Sequence, residues 1–130
     1  MLVEEVMTPK DKLIIVSPMA PVREVLMLMK KNSVRAVIVE KTSESGAYGL
    51  VTFKNILQSI IAEDGDIDLL NVFDIASTPT VSVSRKLDMK YAARMMVKNS
   101  IKRLLVIDNN EIYGILTMSD IIGVLLNDID

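Results

Sequence analysis

The fold is decided by Asn32-Ser33-Val34-Arg35-Ala36-Val37-Ile38-Val39, a stretch that returns further along the chain as Asn99-Ser100-Ile101-Lys102-Arg103-Leu104-Leu105-Val106. Both versions begin with an asparagine and a serine, pass through a basic residue and end in a block of apolar residues. Self-similarity at a fixed distance of this kind is the signature of a repeated structural unit.

The repetition extends on both sides of this stretch. Tyr48-Gly49-Leu50-Val51-Thr52 returns as Tyr113-Gly114-Ile115-Leu116-Thr117, and Thr8-Pro9 returns as Thr78-Pro79. The first copy has extra residues around positions 10–12 and 42–45, where we expect turns. We therefore predict two copies, residues 1–66 and 67–130, which are too few for a solenoid and form the two halves of one compact module.

The composition excludes several classes of function. Half of the 130 residues are hydrophobic, which is enough for a sizeable core, but the chain has no cysteine and no histidine. These absences exclude thiol catalysis and cysteine-ligated zinc, and they remove the usual general base, so we predict no enzymatic activity. A net charge of −2 and few aromatic residues disfavour nucleic acid as a partner. No apolar run approaches the ~20 residues of a membrane span, so we expect a cytoplasmic protein without membrane contact.

Each copy predicts the same order of elements, strand–helix–strand–strand–helix, and therefore a mixed α/β (α+β) fold. The apolar residues of the first helix recur at helical spacing after Pro21, and those of the last helix follow Thr117. We expect both stripes to be buried: Val22, Val25, Leu26 and Met29 in the first helix, and Ile121, Ile122 and Leu125 in the last.

This order, found twice, resembles the cystathionine-beta-synthase (CBS) domain, and a tandem pair resembles a Bateman module of the stand-alone prokaryotic type. The resemblance covers essentially the whole chain. It is carried by Val6-Met7-Thr8-Pro9 at the entrance, by the two stretches quoted first, and by a glycine–apolar–apolar–threonine pattern that ends in an acid or amide. The last pattern reads Gly49-Leu50-Val51-Thr52-Phe53-Lys54-Asn55 and Gly114-Ile115-Leu116-Thr117-Met118-Ser119-Asp120. The resemblance implies two units related by a pseudo-twofold axis, with two ligand clefts between them.

Thr117 and Asp120 are the strongest candidates for a binding site. A threonine before a helix and an acid in its first turn are first of all a helix start, since they cap free N–H groups and favour the helix dipole. The family resemblance adds a ligand role, with the threonine near a phosphate and the aspartate on a ribose. It groups the residues of the stronger cleft as Thr8, Ile14, Val34, Arg35, Ala36, Thr117, Ser119 and Asp120.

The second cleft departs from the family pattern at Asn55, which replaces the aspartate and removes its charge. The resemblance groups this weaker cleft as Thr52, Lys54, Asn55, Thr78, Val81, Ile101, Lys102 and Arg103. It implies that Ile14 and Val81 enclose a base and that Arg103 contacts phosphate. The alternative for the basic residues Arg35, Lys102 and Arg103 is ordinary solvated surface charge.

The resemblance implies a regulatory protein that binds an adenosine compound, either AMP, ADP or ATP or an adenosyl compound such as S-adenosylmethionine, with no cofactor or metal required. We expect a homodimer, because the helices carry more apolar surface than a chain of this size can hide. The regulatory output would pass through that oligomer or through an effector protein. The rival hypothesis is a scaffold that dimerises and has degenerate clefts, and Asn55 favours it.

Overall fold

A computed structural model describes residues 1–79 and 81–129. Its helices and strands, in chain order, are α1 (Val3–Val6), β1 (Thr8–Pro9), a 3-10 turn (Lys10–Lys12), β2 (Ile15–Val16), α2 (Val22–Asn32), β3 (Ala36–Val39), β4 (Gly49–Thr52), α3 (Phe53–Ile56) continued by a π-helical segment (Leu57–Ala62), α4 (Val72–Ile75), β5 (Ser82–Val83), α5 (Met89–Asn99), β6 (Arg103–Asp108), β7 (Glu111–Thr117) and α6 (Met118–Asn127). The predicted order of elements is confirmed in both copies.

The chain divides into two compact units whose limits differ from those of the sequence repeat. The first-copy unit is residues 14–79, and the second-copy unit combines residues 1–13 with the described part of residues 80–130. Strand pairing explains the difference. β1 pairs with β7 of the second copy, and Ser77 forms an antiparallel bridge with Leu50 of the first copy. Each leading segment therefore completes the sheet of the other copy.

The first-copy unit contains a three-stranded sheet in the order β2-β3-β4. β2 is parallel to β3 because α2 connects them, and β3 and β4 form an antiparallel hairpin. Apolar side chains of the sheet pack against α2 and α4 in a single cluster. Its buried members are Val16, Ala20, Val22, Val25, Met29, Val37, Val39, Val51, Val72 and Ile75.

The second-copy unit repeats this plan with one more strand, in the order β1-β7-β6-β5. β5 is parallel to β6, and β6 and β7 form a longer hairpin with a register shift after Val106. The buried cluster consists of Val3, Val83, Ala92, Met96, Leu104, Val106 and Leu116.

The helices α2 and α5 end as their sequences predict, after Asn32 and Asn99. The following residues, Ser33 and Ser100, have positive φ values of 53° and close each helix in the left-handed conformation. The asparagine side chains donate hydrogen bonds of 2.9 Å to backbone carbonyls one turn earlier. Identical helix ends place β3 and β6, which follow at once, at equivalent positions in the two units.

The predicted burial of α2 is confirmed at three of its four positions, but that of α6 is wrong at two of its three. Val22, Val25 and Met29 are buried and Leu26 is half-buried. In α6, Ile121 packs partly against the core, whereas Ile122 and Leu125 are 50% and 58% exposed. The physical reason is that α6 is apolar around most of its circumference, and a helix turns only one face to its own sheet.

Candidate functional site

The junction between β4 and α3 in the first-copy unit has the same backbone hydrogen bond as the junction between β7 and α6 in the second-copy unit. Arg103 lies opposite Thr117 in the β6–β7 pair, and Ala36 lies opposite Thr52 in the β3–β4 pair. In each unit the residue after this threonine donates its backbone N–H to the carbonyl of the residue just before β6 or β3. Met118 donates to the Lys102 carbonyl at 3.1 Å, and Phe53 donates to the Arg35 carbonyl at 3.2 Å. This shared geometry holds the threonine of each copy beside the basic stretch of its own unit.

Thr117 and Asp120 form a reciprocal cap at the start of α6. The Thr117 N–H donates to Asp120 Oδ2 at 2.9 Å, and the Asp120 N–H donates to Thr117 Oγ1 at 3.1 Å. Both side chains are half-buried. Among the described residues, Asp120 Oδ1 has no hydrogen-bond partner. The predicted capping role is therefore confirmed, and it leaves one charged oxygen available as an acceptor.

Thr52 and Asn55 form the corresponding contact in the first-copy unit, with a different pattern of hydrogen bonds. Both the N–H and the hydroxyl of Thr52 donate to Asn55 Oδ1, at 2.8 and 3.1 Å. Because a backbone N–H can only donate, the amide oxygen must face the cap, and the amide nitrogen Nδ2 must face away from it. The first copy therefore offers an NH₂ donor at the place where the second copy offers a carboxylate acceptor.

The charged residues around the two junctions also differ. Lys102 and Ser119 are exposed and Arg103 is half-buried in the second-copy unit. In the first-copy unit Arg35 and Lys54 are exposed, and Ala36 takes the place equivalent to Arg103. Each junction thus has two basic residues, but only one of the two junctions has an acidic residue.

A cavity of about 520 Å³ lies beside Asp120 in the second-copy unit, between α1 and α6. Asp120, Ser119 and Glu5 contribute polar atoms to its wall, and Val6 and Val124 contribute apolar surface. Gly123 widens it, since a Cβ built at this position has no neighbour within 4 Å. The aspartate therefore borders open space large enough for several non-hydrogen atoms of a ligand.

Strand pairing identifies a residue that the sequence repeat missed. Thr8 lies opposite Ile115, and the residue opposite Leu50, the equivalent of Ile115, is Ser77. Ser77 both donates to and accepts from the Leu50 backbone, at 2.9 and 2.8 Å. Thr78, which matched Thr8 in sequence, is exposed and one residue further on. Aligning α1 with α4, rather than the two threonine–proline pairs, would have found Ser77.

The predicted cleft residues fall in both units. The first-copy unit holds Ile14, Val34, Arg35, Ala36, Thr52, Lys54, Asn55 and Thr78, and the second-copy unit holds Thr8, Val81, Ile101, Lys102, Arg103, Thr117, Ser119 and Asp120. Within each unit, the first residue of β3 or β6 lies opposite the threonine that precedes α3 or α6. The predicted grouping of residues from both units into two clefts stays a prediction.

Two negative findings concern the described residues, 1–79 and 81–129. None of their acidic side chains cluster in threes that could hold a metal ion. Their helices are also all too short or too polar to cross a membrane.

Comparison with known proteins is consistent with this architecture. The family model described as the CBS domain matches twice, at residues 3–62 and 72–127. An uncharacterized protein of Methanopyrus kandleri is 26% identical over 109 residues, which are 83% of this chain and 55% of that protein. The chain therefore spans about half the length of this curated relative.

Solved structures give the same result. A hexameric CBS-CP12 protein from bloom-forming cyanobacteria superimposes with a TM-score of 0.84 and 31% identity, covering 94% of this chain and 66% of that one. CBSX2 in complex with AMP superimposes with a TM-score of 0.80 and 22% identity, covering 97% of each chain. Since the two family matches take up most of the sequence and coincide with the two structural repeats, the chain belongs to the CBS domain family and carries two copies of that domain in tandem.

Proposed function

We propose that this CBS pair is a regulatory module that binds an adenosine compound, and that Asp120 is the main recognition residue. The observation that carries the proposal is the preformed cap of α6, which fixes Thr117 and Asp120 through two hydrogen bonds. The aspartate stays half-buried beside a cavity and keeps one carboxylate oxygen without a partner among the described residues. A fixed carboxylate of this kind is a suitable acceptor for the paired hydroxyls of a ribose.

The charges near Thr117 support a phosphate-bearing ligand. Arg103 lies opposite Thr117 in the sheet, and Lys102 accepts the first N–H of α6 through its carbonyl. Both side chains are cationic at neutral pH, and guanidinium and ammonium groups are the usual partners of phosphate. The proposal therefore favours AMP, ADP or ATP. S-adenosylmethionine, which has no phosphate group, is the alternative ligand.

A solved CBS-pair structure supports the ligand class. The solved structure of CBSX2 is a complex with AMP, and at 22% identity CBSX2 shares the fold of this chain. AMP therefore enters as the first compound to test. Thr52 and Asn55 in the first-copy unit form the second, weaker candidate site, since Asn55 presents a neutral donor in place of the charged acceptor.

Thermal unfolding of the purified chain with graded ligand tests the proposal. AMP, ADP, ATP and S-adenosylmethionine are compared with GMP and with ribose 5-phosphate at equal concentration. A ligand that binds only the folded state stabilises it by about 2.7 kcal/mol at a hundredfold excess over its Kd. We expect at least one adenosine compound to raise the melting temperature and GMP to have less effect. Absence of any shift at millimolar concentration would contradict the proposal.

A second candidate function, the dimerising scaffold, is favoured by exposed apolar faces on α6 and on α3 with its π-helical continuation. Ile122, Leu125 and Leu126 are at least half exposed on α6. In the first-copy unit a cavity of about 590 Å³ is lined by α2, α3 and the π-helical segment, mostly with apolar residues, and Phe53, Leu57 and Ile61 on its wall are exposed. Such patches on a small domain mark an interface. We expect a homodimer by light scattering at tens of micromolar, whichever ligand binds.

A further inference from the structure

The loop before the first long helix is held in the same way in both units. In the first-copy unit, Val72 and Phe73 donate their N–H groups to the carbonyls of Ala20 and Pro18, at 2.8 and 2.9 Å. In the second-copy unit, Val3 and Glu4 donate to Leu87 and Arg85, at 2.8 and 3.0 Å. The antiparallel bridges Pro21 to Asn71 and Leu2 to Asp88 repeat the same match. Met19 and Phe73 are therefore the structural equivalents of Lys86 and Glu4.

The side chains at these equivalent positions have opposite character. Lys86 and Glu4 form an ion pair with Nζ 2.7 Å from Oε1, a normal arrangement for a protein surface. Met19 and Phe73 are apolar and yet 66% and 54% exposed. Leu69, on the segment that leads into α4, is 79% exposed. The same backbone thus carries a water-compatible pair in one unit and an unprotected apolar surface in the other.

We call Met19, Leu69 and Phe73 the α4 patch. None of the three belongs to the buried cluster of its unit or to the residues packed against that cluster. They contribute little to the core. Single exposed apolar residues are normal on a protein surface, but these three lie on two segments that four backbone hydrogen bonds join, and we treat them as one patch. Since the second-copy unit folds with an ion pair at two of these places, folding alone does not require the apolar residues.

The two segments that carry the α4 patch are strongly acidic. Residues 17–24 and 63–74, which carry the patch, include Glu24, Glu63, Asp64, Asp66, Asp68 and Asp74, and all six acids are exposed. Arg23 is their single basic residue, and it is engaged by Asp68 through two hydrogen bonds of 2.5 and 2.8 Å. A second copy of this chain using the same patch would bring acid against acid. A partner with basic residues would gain from the same field.

We propose that the α4 patch is a docking surface for a segment of another protein that carries apolar side chains flanked by lysine or arginine. Met19, Leu69 and Phe73 would supply the apolar contacts, and methionine and phenylalanine are frequent anchors in interfaces. The exposed acids would surround these contacts and select the charge of the partner. The surface belongs to the first-copy unit alone, so it distinguishes the two copies for a partner protein.

The test exchanges the two kinds of pair. A double variant, Met19→Lys with Phe73→Glu, places the ion pair of the second-copy unit on the matching backbone of the first. It leaves the net charge unchanged, so it removes apolar contact without changing the overall field. The probe is a labelled amphipathic peptide of leucine and lysine at helical spacing, measured by fluorescence anisotropy. Its matched peptide has glutamate in place of each lysine.

We expect the basic peptide to bind the unmodified chain, more weakly as salt rises, and the acidic peptide to bind at least tenfold more weakly. The double variant should lose about tenfold or more of the affinity for the basic peptide. Leu69→Ser, at a position 79% exposed, should also weaken binding and serves if the double variant unfolds. Val97→Lys, at an apolar position of α5 that is 75% exposed, is the control and should bind normally.

Equal affinity of the unmodified chain and both α4-patch variants would overturn the proposal, as would equal binding of the two peptides. A concentration-dependent dimer that the double variant abolishes would also overturn it, because a second copy would then cover the patch.

Discussion

The first-copy and second-copy units have nearly the same backbone and differ in what that backbone presents. The four strand pairs nearest the threonine in each hairpin, the C-terminal ends of α2 and α5, and the hydrogen bonds of the leading segments match position by position. Asp120 in one unit corresponds to Asn55 in the other, and the pair Lys86 and Glu4 corresponds to Met19 and Phe73. The conserved geometry makes each unit a control for the other, so differences in behaviour can be assigned to single side chains.

The largest expected effect concerns the ligand. Asp120→Asn should weaken binding of the adenosine compound by about ten- to a hundredfold, because the charged hydrogen bond, which contributes about 1.5–3 kcal/mol, is lost when the asparagine presents its Nδ2 donor in place of the acceptor oxygen. An asparagine can keep the cap, as Asn55 does with Thr52. Calorimetric titration measures the affinity, and thermal unfolding without ligand checks that the fold is unchanged.

The reciprocal variant sharpens this comparison. Asn55→Asp should strengthen the first-copy site, because the oxygen that replaces Nδ2 becomes an acceptor. If Asp120→Asn binds normally while Asn55→Ala loses all binding, the assignment of the stronger site to the second copy is wrong.

A second comparison concerns two glycines at equivalent strand positions, Gly114 and Gly49. A Cβ at Gly114 would lie 2.5 Å from the Thr8 carbonyl oxygen and 2.8 Å from Met7 Sδ. At Gly49 the nearest atoms would be Val39 Cβ at 3.1 Å and the Ser77 carbonyl oxygen at 3.4 Å. Gly114→Ala should therefore destabilise the fold by about 1–3 kcal/mol, because β1 must move.

Gly49→Ala should change stability by less than about 1 kcal/mol, since the entropy of the unfolded chain falls and the contacts are only tight. Urea unfolding of both variants measures the difference. Equal destabilisation would mean that the leading segment is held equally closely in both units.

The N-termini of α2 and α5 provide the third comparison. Asp88 caps α5 by accepting the Lys90 N–H at 2.9 Å, whereas Pro21 at the equivalent place in α2 has no side-chain cap. The backbone hydrogen bond lowers the pKa of Asp88 from its ordinary value of 3.8. The stabilisation is therefore fully present above that ordinary value and is lost as the pH falls through the lowered folded pKa.

Asp88→Ala should thus lower the stability at pH 7 and have a progressively smaller effect as the pH falls below 3.8. Pro21→Ala should show no such pH dependence. Unfolding by urea at several pH values separates the two, and a pH-independent effect of Asp88→Ala would contradict the capping account.

The smallest effect is expected for the ion pair of Lys86 with Glu4. Its side chains are 64% and 30% exposed, and pairs at the surface contribute about 0–1 kcal/mol. Replacing it with the first-copy pair, through Lys86→Met and Glu4→Phe, should leave the melting temperature nearly unchanged. A large loss of stability would show that the two positions are not equivalent and would weaken the comparison on which the α4 patch rests.

Much of this fold could be predicted from the sequence because its signals are local. The apolar spacing of α2 and the asparagines at 32 and 99 define that helix and its equivalent α5, and the hairpins follow from runs of β-branched and other apolar residues. Capping by Thr117 and Asp120 is also a local pattern, and the structure has it.

The remaining features depend on information that local patterns do not contain. β1 has only two residues and pairs with a strand near the other end of the chain, so no periodicity reveals it. The orientation of the Asn55 amide follows from a hydrogen bond, not from the residue type. The sequence pattern predicts Ile122 and Leu125 as core residues because α6 is apolar on several faces. Tertiary packing decides which of these faces contacts the sheet, and both side chains are exposed.

The exchange of leading segments has a consequence for the order in which the protein matures during synthesis. Every strand and helix of the first-copy unit lies within residues 14–79, so all of its contacts can form while the rest of the chain is still being made. In the second-copy unit, β1 cannot form its strand pair until β7 has been synthesised, because Thr8 pairs with Ile115. Closing so long a loop slows folding. The first-copy unit should therefore acquire protection from hydrogen exchange before its partner, although it starts later in the sequence.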